Sequence, residues 1–222
     1  MLNGENHFAY IVGYADGTVR PEAGITRAEV AAIFFRLLKP EVRDANLTRQ
    51  SGFADVPEDA WYASAVATMT KLGILQGRTA DSFQPDALIT RAEFAAICAR
   101  FDTGSAAGTS TLRDIAGHWA EQEILRAAAR GWVQGYGDGT FRPNQSIRRA
   151  KAMTMINRVL LRLPETDEDL LDGMRVWPDN QPGAWHYLAV QEATNSHDFV
   201  RKNTKNETWK ALTADPDWTR YQ

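Results

Sequence analysis

The sequence has little cysteine, no long apolar run and no strong excess of charge. Cys98 is the single cysteine among 222 residues, which excludes an internal disulfide and a Cys-rich metal site. No apolar run approaches the roughly 20 residues that a transmembrane helix needs, so we expect no membrane insertion. The formal net charge of −3 gives no basic field that would attract nucleic acid. Hydrophobic residues make up 44% of the chain, which is enough to bury a core.

The N-terminus lacks the features of a secretory signal peptide. Residues Met1-Leu2-Asn3-Gly4 contain neither a basic segment nor an apolar segment of the kind that such peptides carry. We therefore expect either a cytosolic protein or a mature or excised segment of an exported one. Composition alone does not decide between the two compartments.

Common catalytic and metal-binding motifs are missing as well. The four histidines, at positions 7, 118, 186 and 197, show no metal-ligand spacing. Neither a nucleophile elbow nor a P-loop occurs. A glycosidase-type pair of carboxylates depends on three-dimensional spacing and is not visible in a sequence. We expect no enzyme, no metal and no cofactor, with a cryptic polysaccharide hydrolase kept as a hypothesis to test.

One compound pattern occurs three times. The string Ile-Thr-Arg-Ala-Glu stands at residues 25–29 and 89–93, and an altered string, Ile-Arg-Arg-Ala-Lys, stands at 147–151. A turn framed by Gly and Pro precedes each string, and the second turn has Arg78 where the others have Tyr. Apolar residues follow each string at helical spacing and predict a helix. Cys98 falls on the apolar face, so we expect a core thiol.

A second helix is predicted upstream of the second and third turns. Each begins near a tryptophan and ends at a glycine, which is a helix stop signal. The first copy lacks this upstream helix. Near the C-terminus, however, Trp177-Pro178-Asp179 matches Phe53-Ala54-Asp55, which leads into the upstream helix of the second copy. We predict that the C-terminal half-repeat completes the N-terminal one, because each alone would leave an apolar face in water. The tryptophans at the three helix starts are expected to anchor the cores of the lobes: Trp61, Trp119 and Trp185.

These patterns predict an all-α fold in one compact unit, with the polar segment 202–207 looping out. Short linkers are expected near residues 40–52, 102–111 and 164–172. The predicted parts are an N-terminal half-repeat at 1–39, a second repeat at 53–101, a third repeat at 112–163, and a C-terminal half-repeat with a tail at 173–222.

The helix starts, the Gly-framed turns and the Thr-Arg-Ala-Glu strings together resemble the S-layer homology family. The resemblance implies a pseudo-threefold helical spindle of three helix–turn–helix lobes, the first closed by the C-terminal segment. It also implies an extracellular location, at the cell wall or S-layer. The implied partner is a secondary cell-wall polysaccharide with acidic, commonly pyruvylated, sugars. The arginine that the family uses in binding corresponds to Arg27 and Arg91, and with a less complete match to Arg149.

Physical chemistry separates two roles within the string. Thr-x-x-Glu before an apolar run is a capping box, which predicts helix starts at Thr26 and Thr90. A cation in the first helical turn opposes the helix macrodipole, at a cost of up to about 1 kcal/mol. Free helix N–H groups and a guanidinium would together form a carboxylate site, such as one for a pyruvylated sugar. An ion pair with a neighbouring acidic residue, or simple solvation, is the alternative for these arginines.

The third copy breaks the pattern. Arg148 and Lys151 replace the capping Thr and Glu, which removes the box at a cost of around 1 kcal/mol. Three cations then lie at one helix start. This pocket has either gained attraction for anions or lost its ligand.

The turns supply the remaining candidates for ligand binding. A glycine would let a sugar approach the backbone, and a tyrosine would offer a stacking face, although a tyrosine beside a turn often packs locally. Asp-Gly pairs are turn formers, and one carboxylate in each loop is too few for calcium. These candidates are Gly13, Tyr14, Asp16, Gly77, Arg78, Gly135, Tyr136, Asp138 and Arg148.

Two principal hypotheses follow from the sequence. The first is a non-catalytic module that anchors a protein to the cell wall by binding an acidic polysaccharide. The second is a protein-interaction or self-assembly module whose lobes dock other surface-layer chains.

Overall fold

A computed structural model describes residues 1–102, 104 and 111–222. These residues form seven α-helices and one two-stranded antiparallel sheet. The mainly helical fold is confirmed, whereas the sheet corrects the all-α prediction. No helix in the described ranges has the length and apolarity needed to cross a bilayer. The elements are α1 (Arg27–Leu37), α2 (Pro40–Asn46), α3 (Ala63–Lys71), α4 (Arg91–Arg100), α5 (Glu121–Ala129), α6 (Arg149–Leu160), α7 (Tyr187–Thr194), β1 (His197–Arg201) and β2 (Glu207–Leu212).

The chain divides into two compact units, and the first comprises residues 1–2, 24–147 and 218–222. In this unit α1 packs on α3, α4 packs on α5, and α2 contacts α3. Cys98 is fully buried, as expected, and burial raises the pKa of its thiol. Helix α2 lies where a linker was predicted, and Pro40 at its first position favours a helix start.

The repeated isoleucines of the first unit bind one another in a cycle. The N–H of Ile89 donates to the carbonyl of Ile25 at 3.0 Å, and the N–H of Ile147 donates to Ile89 at 3.1 Å. The N–H of Ile25 closes the cycle on the carbonyl of Ile147 at 3.4 Å. All three side chains are buried. Each copy of the string is therefore hydrogen-bonded to both of the others.

The second unit comprises residues 3–23 and 148–217. In it α6 packs on α7, and β1 pairs with β2. Residues 202–206 form the turn between the strands, so part of the segment predicted to loop out does so. Its last residue, Glu207, begins β2 and is buried, and Trp209 is buried beside it. The predicted linker at 164–172 contains a short 3₁₀ turn, Asp167–Asp169.

An aspartate clamps each Gly-framed turn. In the first unit Asp55 accepts the N–H groups of Phe83 and Gln84. Asp114 accepts the N–H groups of Phe141 and Arg142 in the third turn. In the second unit Asp179 accepts the N–H groups of Val19 at 3.1 Å and Arg20 at 2.7 Å. The C-terminal segment thus contacts the N-terminal turn as the internal segments contact theirs, while one compact unit for the whole chain stays a prediction.

Candidate functional site

The capping boxes are present where the sequence predicts them. The hydroxyl of Thr26 accepts the N–H of Glu29, and the carboxylate of Glu29 accepts the N–H of Thr26. Thr90 and Glu93 form the same reciprocal pair at the start of α4. Arg148 precedes α6 without capping it by a side-chain hydrogen bond. The loss of the box in the third copy is therefore confirmed.

The first-turn N–H groups are engaged, which corrects the expectation that they stay free for an anion. The N–H of Arg27 donates to Ala87 O at 2.9 Å, and the N–H of Arg91 donates to Gln145 O at 2.9 Å. In the second unit the N–H of Arg149 donates to Ala23 O at 2.9 Å. Each helix start therefore binds carbonyl groups of a neighbouring turn. A bare helix N-terminus does not serve as the anion site here.

The three arginine side chains also reach across to a Gly-framed turn. Arg27 is buried and donates from Nε to Phe83 O at 2.8 Å and from Nη2 to Gln76 O at 2.7 Å. Arg91 makes the same contacts with Phe141 O and Gln134 O, at 2.6 and 3.0 Å. The Nε of Arg149 donates to Val19 O at 3.0 Å. These carbonyl groups compensate each cation for its place in the first helical turn.

Arg27 and Arg91 differ in their third donor. Nη1 of Arg27 lies 2.8 Å from Oε1 of Glu93, so the ion-pair alternative applies to this residue. In the part of the chain that the structure describes, Nη1 of Arg91 makes no hydrogen bond and has no carboxylate within ion-pair distance. Burial lowers the pKa of both guanidinium groups, which nevertheless remain charged at neutral pH.

A cavity of about 420 Å³ opens at the start of α4. Arg27, Arg78 and Arg100 line it, together with the single carboxylate of Glu93. Nε of Arg78 lies 3.0 Å from Oε1 of Glu93. Burial opposes ionisation of Glu93, but hydrogen bonds from Arg78 and from the N–H of Thr90, with the charge of Arg27, hold its pKa below the ordinary value. Three guanidinium groups and one carboxylate leave the cavity positively charged.

The tryptophans at the helix starts are exposed, so the prediction that they anchor the cores of the lobes is wrong. The exposed fractions are 46% for Trp61, 61% for Trp119 and 54% for Trp185. The fully buried rings of Phe83 and Phe141 occupy the apolar interior behind the turns. Trp119 lines the cavity beside Arg78, and Nζ of Lys151 lies 4.0 Å from the ring centroid of Trp185. The sequence did not reveal Trp119 as a lining residue of the cavity, because the ring lies in the turn before α5, where helical spacing does not set its direction.

The framing glycines fit against protein side chains. A Cβ on Gly13 would lie 2.2 Å from the Trp177 ring. The corresponding distances are 2.5 Å from Gly77 to Phe53 and 2.3 Å from Gly135 to Leu112. A side chain there would have to displace one of these neighbouring side chains. The glycines are therefore required for packing of the turns, independently of any ligand.

The other turn residues bind one another. The Asp16 carboxylate accepts hydrogen bonds from Thr18 and Arg20, which lower its pKa to about 2. The guanidinium of Arg20 lies 4.0 Å from the Tyr14 ring centroid. The other copy is equivalent, because Asp138 accepts from Thr140 and Arg142, and Arg142 lies 4.0 Å from the Tyr136 ring. Gly17 and Gly139 have positive φ angles, as turn formers should. Exposed Arg148 pairs with Glu22.

Each tyrosine nevertheless lies beside a helix-start arginine. The guanidinium of Arg149 is 4.9 Å from the Tyr14 ring centroid, and that of Arg91 is 4.9 Å from the Tyr136 ring centroid. In the second copy Arg78 replaces the tyrosine and forms an ion pair with Glu93 in the cavity. The predicted residues are therefore grouped around the three arginines.

Comparisons with known proteins agree with this arrangement. The family model of the S-layer homology domain matches residues 9–31, 52–95 and 111–152. The chain is 33% identical over 221 residues to cell surface glycoprotein 1 of Acetivibrio thermocellus, with 94% of the chain and 9% of that protein covered. It is 35% identical over 200 residues to the cellulosome-anchoring protein of the same organism, with 87% and 43% covered. It is 34% identical over 150 residues to an S-layer protein of Bacillus licheniformis, with 66% and 17% covered. The chain spans less than half the length of each relative.

Proposed function

Since this chain belongs to the S-layer homology family, we propose that it is a non-catalytic module that anchors a protein to the cell wall. The names of its relatives, a cellulosome-anchoring protein and an S-layer protein among them, support a role at the cell surface. The proposed ligand is a negatively charged secondary cell-wall polysaccharide that carries pyruvylated sugars. The proposed location is therefore extracellular, at the wall or S-layer.

The observation that carries this proposal is the positively charged cavity at the start of α4. Its volume of about 420 Å³ lies within the range of small-molecule sites, roughly 300–1,000 Å³. Arg78 and Arg100 can offer charge-assisted hydrogen bonds to a carboxylate. The exposed indole of Trp119 offers a face for the apolar side of a sugar ring. A sugar with a carboxylate on one side and C–H groups on the other matches these features.

Arg91 supports a second binding position. Two of its donors bind carbonyl groups, and Nη1 makes no hydrogen bond to the described residues. A ligand carboxylate would supply the counter-ion that Glu93 supplies to Arg27. Tyr136, 4.9 Å away, would form the wall of this position.

We rank the third position, at Arg149 and Tyr14, behind these two. Arg148, which replaces the capping threonine, pairs with Glu22. The turn residues Asp16 and Arg20 also bind each other. The missing capping box sets this helix start apart from the other two.

The contacts support a pseudo-threefold arrangement in which residues 173–222 complete the first repeat. The three helix-start arginines each bind a carbonyl group of a turn in another copy. Asp179 repeats the turn contacts of Asp55 and Asp114. A helical spindle of three lobes would satisfy all of these equivalences.

Binding to purified wall sacculi, before and after hydrofluoric acid removes the polysaccharide, tests the function. Arg78→Ala and Trp119→Ala should each weaken binding about tenfold, as expected for loss of a charge-assisted hydrogen bond or a stacking face. Lys71→Ala removes an exposed cation of α3 outside the cavity and serves as the matched control. Arg27→Ala is unsuitable, because it would also release two turn carbonyl groups.

Three outcomes contradict the proposal. Undiminished binding to stripped walls would favour the protein-interaction alternative. If the Arg78 and Trp119 variants bind as well as the wild type, the cavity is not the binding site for the polysaccharide. Release of reducing sugar from the wall would indicate a hydrolase.

A further inference from the structure

Four buried side chains of the second unit converge outside the proposed polysaccharide site. They are His7 near the N-terminus, Glu192 in α7, His197 in β1 and Glu207 in β2. One nitrogen or oxygen from each lies within 4.8 Å of the corresponding atoms of the other three. None of the four side chains is accessible to solvent. Two imidazoles and two carboxylates form a common set of ligands for transition metals.

Three distances of 3.4–3.7 Å between these side chains are close to the edge length of a tetrahedral zinc site. Bonds of 2.0–2.2 Å from Zn²⁺ to nitrogen and oxygen place the ligand atoms about 3.3 Å apart. Nε2 of His197 lies 3.4 Å from Oε2 of Glu192 and 3.5 Å from Oε1 of Glu207. Nδ1 of His7 lies 3.7 Å from Oε1 of Glu192. It also forms a hydrogen bond of 2.8 Å with Oε1 of Glu207, which a bound ion would replace.

His197 uses Nδ1 for its hydrogen bond, and its other ring nitrogen, Nε2, lies inside the cluster without one. Nδ1 of His197 lies 3.0 Å from the carbonyl oxygen of Asn195 and therefore carries a proton. Nε2 lies 3.4 Å from Oε2 of Glu192 and 3.5 Å from Oε1 of Glu207, so it faces two carboxylate oxygens. Nε2 is buried and makes no hydrogen bond among the described residues. A cation between these three acceptors would satisfy all of them.

Outer contacts orient the four side chains as those around metal ligands do. Nε of Arg162 and Nε1 of Trp209 each donate to Glu192 at 2.8 Å. Arg201 donates to Oε2 of Glu207 at 3.0 Å, which leaves Oε1 directed at the histidines. The rings of Phe199 and Trp209 stack on His7 and His197, with centroids 3.7 and 4.0 Å apart. Hydrogen-bond partners around metal ligands fix the orientation and tautomer of those ligands.

We propose that His7, Glu192, His197 and Glu207 form a tetrahedral binding site for a divalent transition metal ion, with Zn²⁺ as the best match. The site would join the N-terminal segment to α7 and to both strands of the hairpin. A cavity of about 460 Å³, lined by His7 and His197 among others, borders the cluster. The ion would be structural, because four protein ligands leave no open coordination position.

Metal binding by the full chain tests this proposal. The protein is treated with EDTA, dialysed, and equilibrated with ZnCl₂, and the bound metal is measured by mass spectrometry. One Zn²⁺ ion in each chain is expected, with a melting temperature that rises on addition of Zn²⁺ and not of Mg²⁺. Co²⁺ in the same site should give the intense visible absorption of a tetrahedral complex.

Histidine variants assign the site. His7→Gln and His197→Gln should each weaken Zn²⁺ binding at least tenfold, whereas His118→Gln, in the first unit, should bind as the wild type does. If a variant does not fold, the Co²⁺ spectrum of the wild type decides whether a tetrahedral site is present. No bound ion, an octahedral Co²⁺ spectrum, or equal binding by all three variants would overturn the assignment and identify the cluster as a metal-free hydrogen-bond network.

Discussion

Restoring the capping threonine of the third copy should stabilise the chain. Arg148 has φ −87° and ψ 155°, close to the −83° and 162° of both Thr26 and Thr90. Because the backbone already has the geometry of an N-cap, a threonine at 148 can accept the N–H of Lys151 without rearrangement. The substitution to test is Arg148→Thr.

Three effects contribute to its size. The new cap should add about 1 kcal/mol to the free energy of unfolding. Removing a cation from the positive end of α6 adds a few tenths of a kcal/mol. Loss of the pair between Arg148 and Glu22, with side chains 62% and 46% exposed, subtracts at most about 0.5 kcal/mol. The net gain of roughly 1 kcal/mol corresponds to a rise of about 2–4 °C in the melting temperature.

Urea unfolding followed by circular dichroism measures this gain. Arg148→Ala is the matched control, because it removes the ion pair and the cation without adding a cap. The two variants should differ by about 1 kcal/mol, and Thr90→Ala should lose about the same amount relative to the wild type. If Arg148→Thr is no more stable than Arg148→Ala, the cap does not determine the local stability of α6.

Three further substitutions test other contacts. Asp179→Ala should lower the free energy of unfolding by about 1–3 kcal/mol, measured by urea unfolding, because the N–H groups of Val19 and Arg20 lose their acceptor; an unchanged midpoint would contradict completion of the first repeat by the C-terminal segment. Gly13→Ala should lower the melting temperature, because its Cβ would overlap the Trp177 ring, at a cost of about 1–3 kcal/mol; a wild-type value would show that the ring can move aside. The pKa of Glu93 is lowered in the fold, so its ionised form stabilises the protein above the unfolded value of 4.5, and this contribution is lost as the pH falls below it. The stability difference between the wild type and Glu93→Gln should therefore shrink from pH 7 to pH 3 in urea titrations, and a constant difference would exclude a role for the charge.

The features that depend on near neighbours could be predicted from the sequence. A capping box joins residues three positions apart, so Thr26 and Glu29 are sufficient to predict a helix start. The buried position of Cys98 follows from the helical period. Asp16-Gly17 likewise forms a turn within its own few residues, because glycine accepts the positive φ angle.

Features that depend on distant partners could not be predicted. The guanidinium of Arg27 binds a carbonyl group 56 positions away, and a carbonyl carries no side-chain signature in the sequence. The hairpin was missed because its buried positions include the polar side chains of His197 and Glu207, which disrupt the alternation expected of a strand. The same two residues belong to the proposed metal site, whose ligands come from three separate segments and therefore show no motif spacing.

The structure changes what an arginine at a helix start implies. Its charge opposes the helix macrodipole, but two turn carbonyl groups compensate it, so the position alone does not require a ligand. The arginines differ in their third donor, Nη1. In Arg27 this nitrogen donates to the carboxylate of Glu93. In the repeat alignment the glutamate at 93 corresponds to Lys151 in the next copy, and an ammonium group cannot accept a hydrogen bond. The altered third string therefore removes the capping box from its own helix.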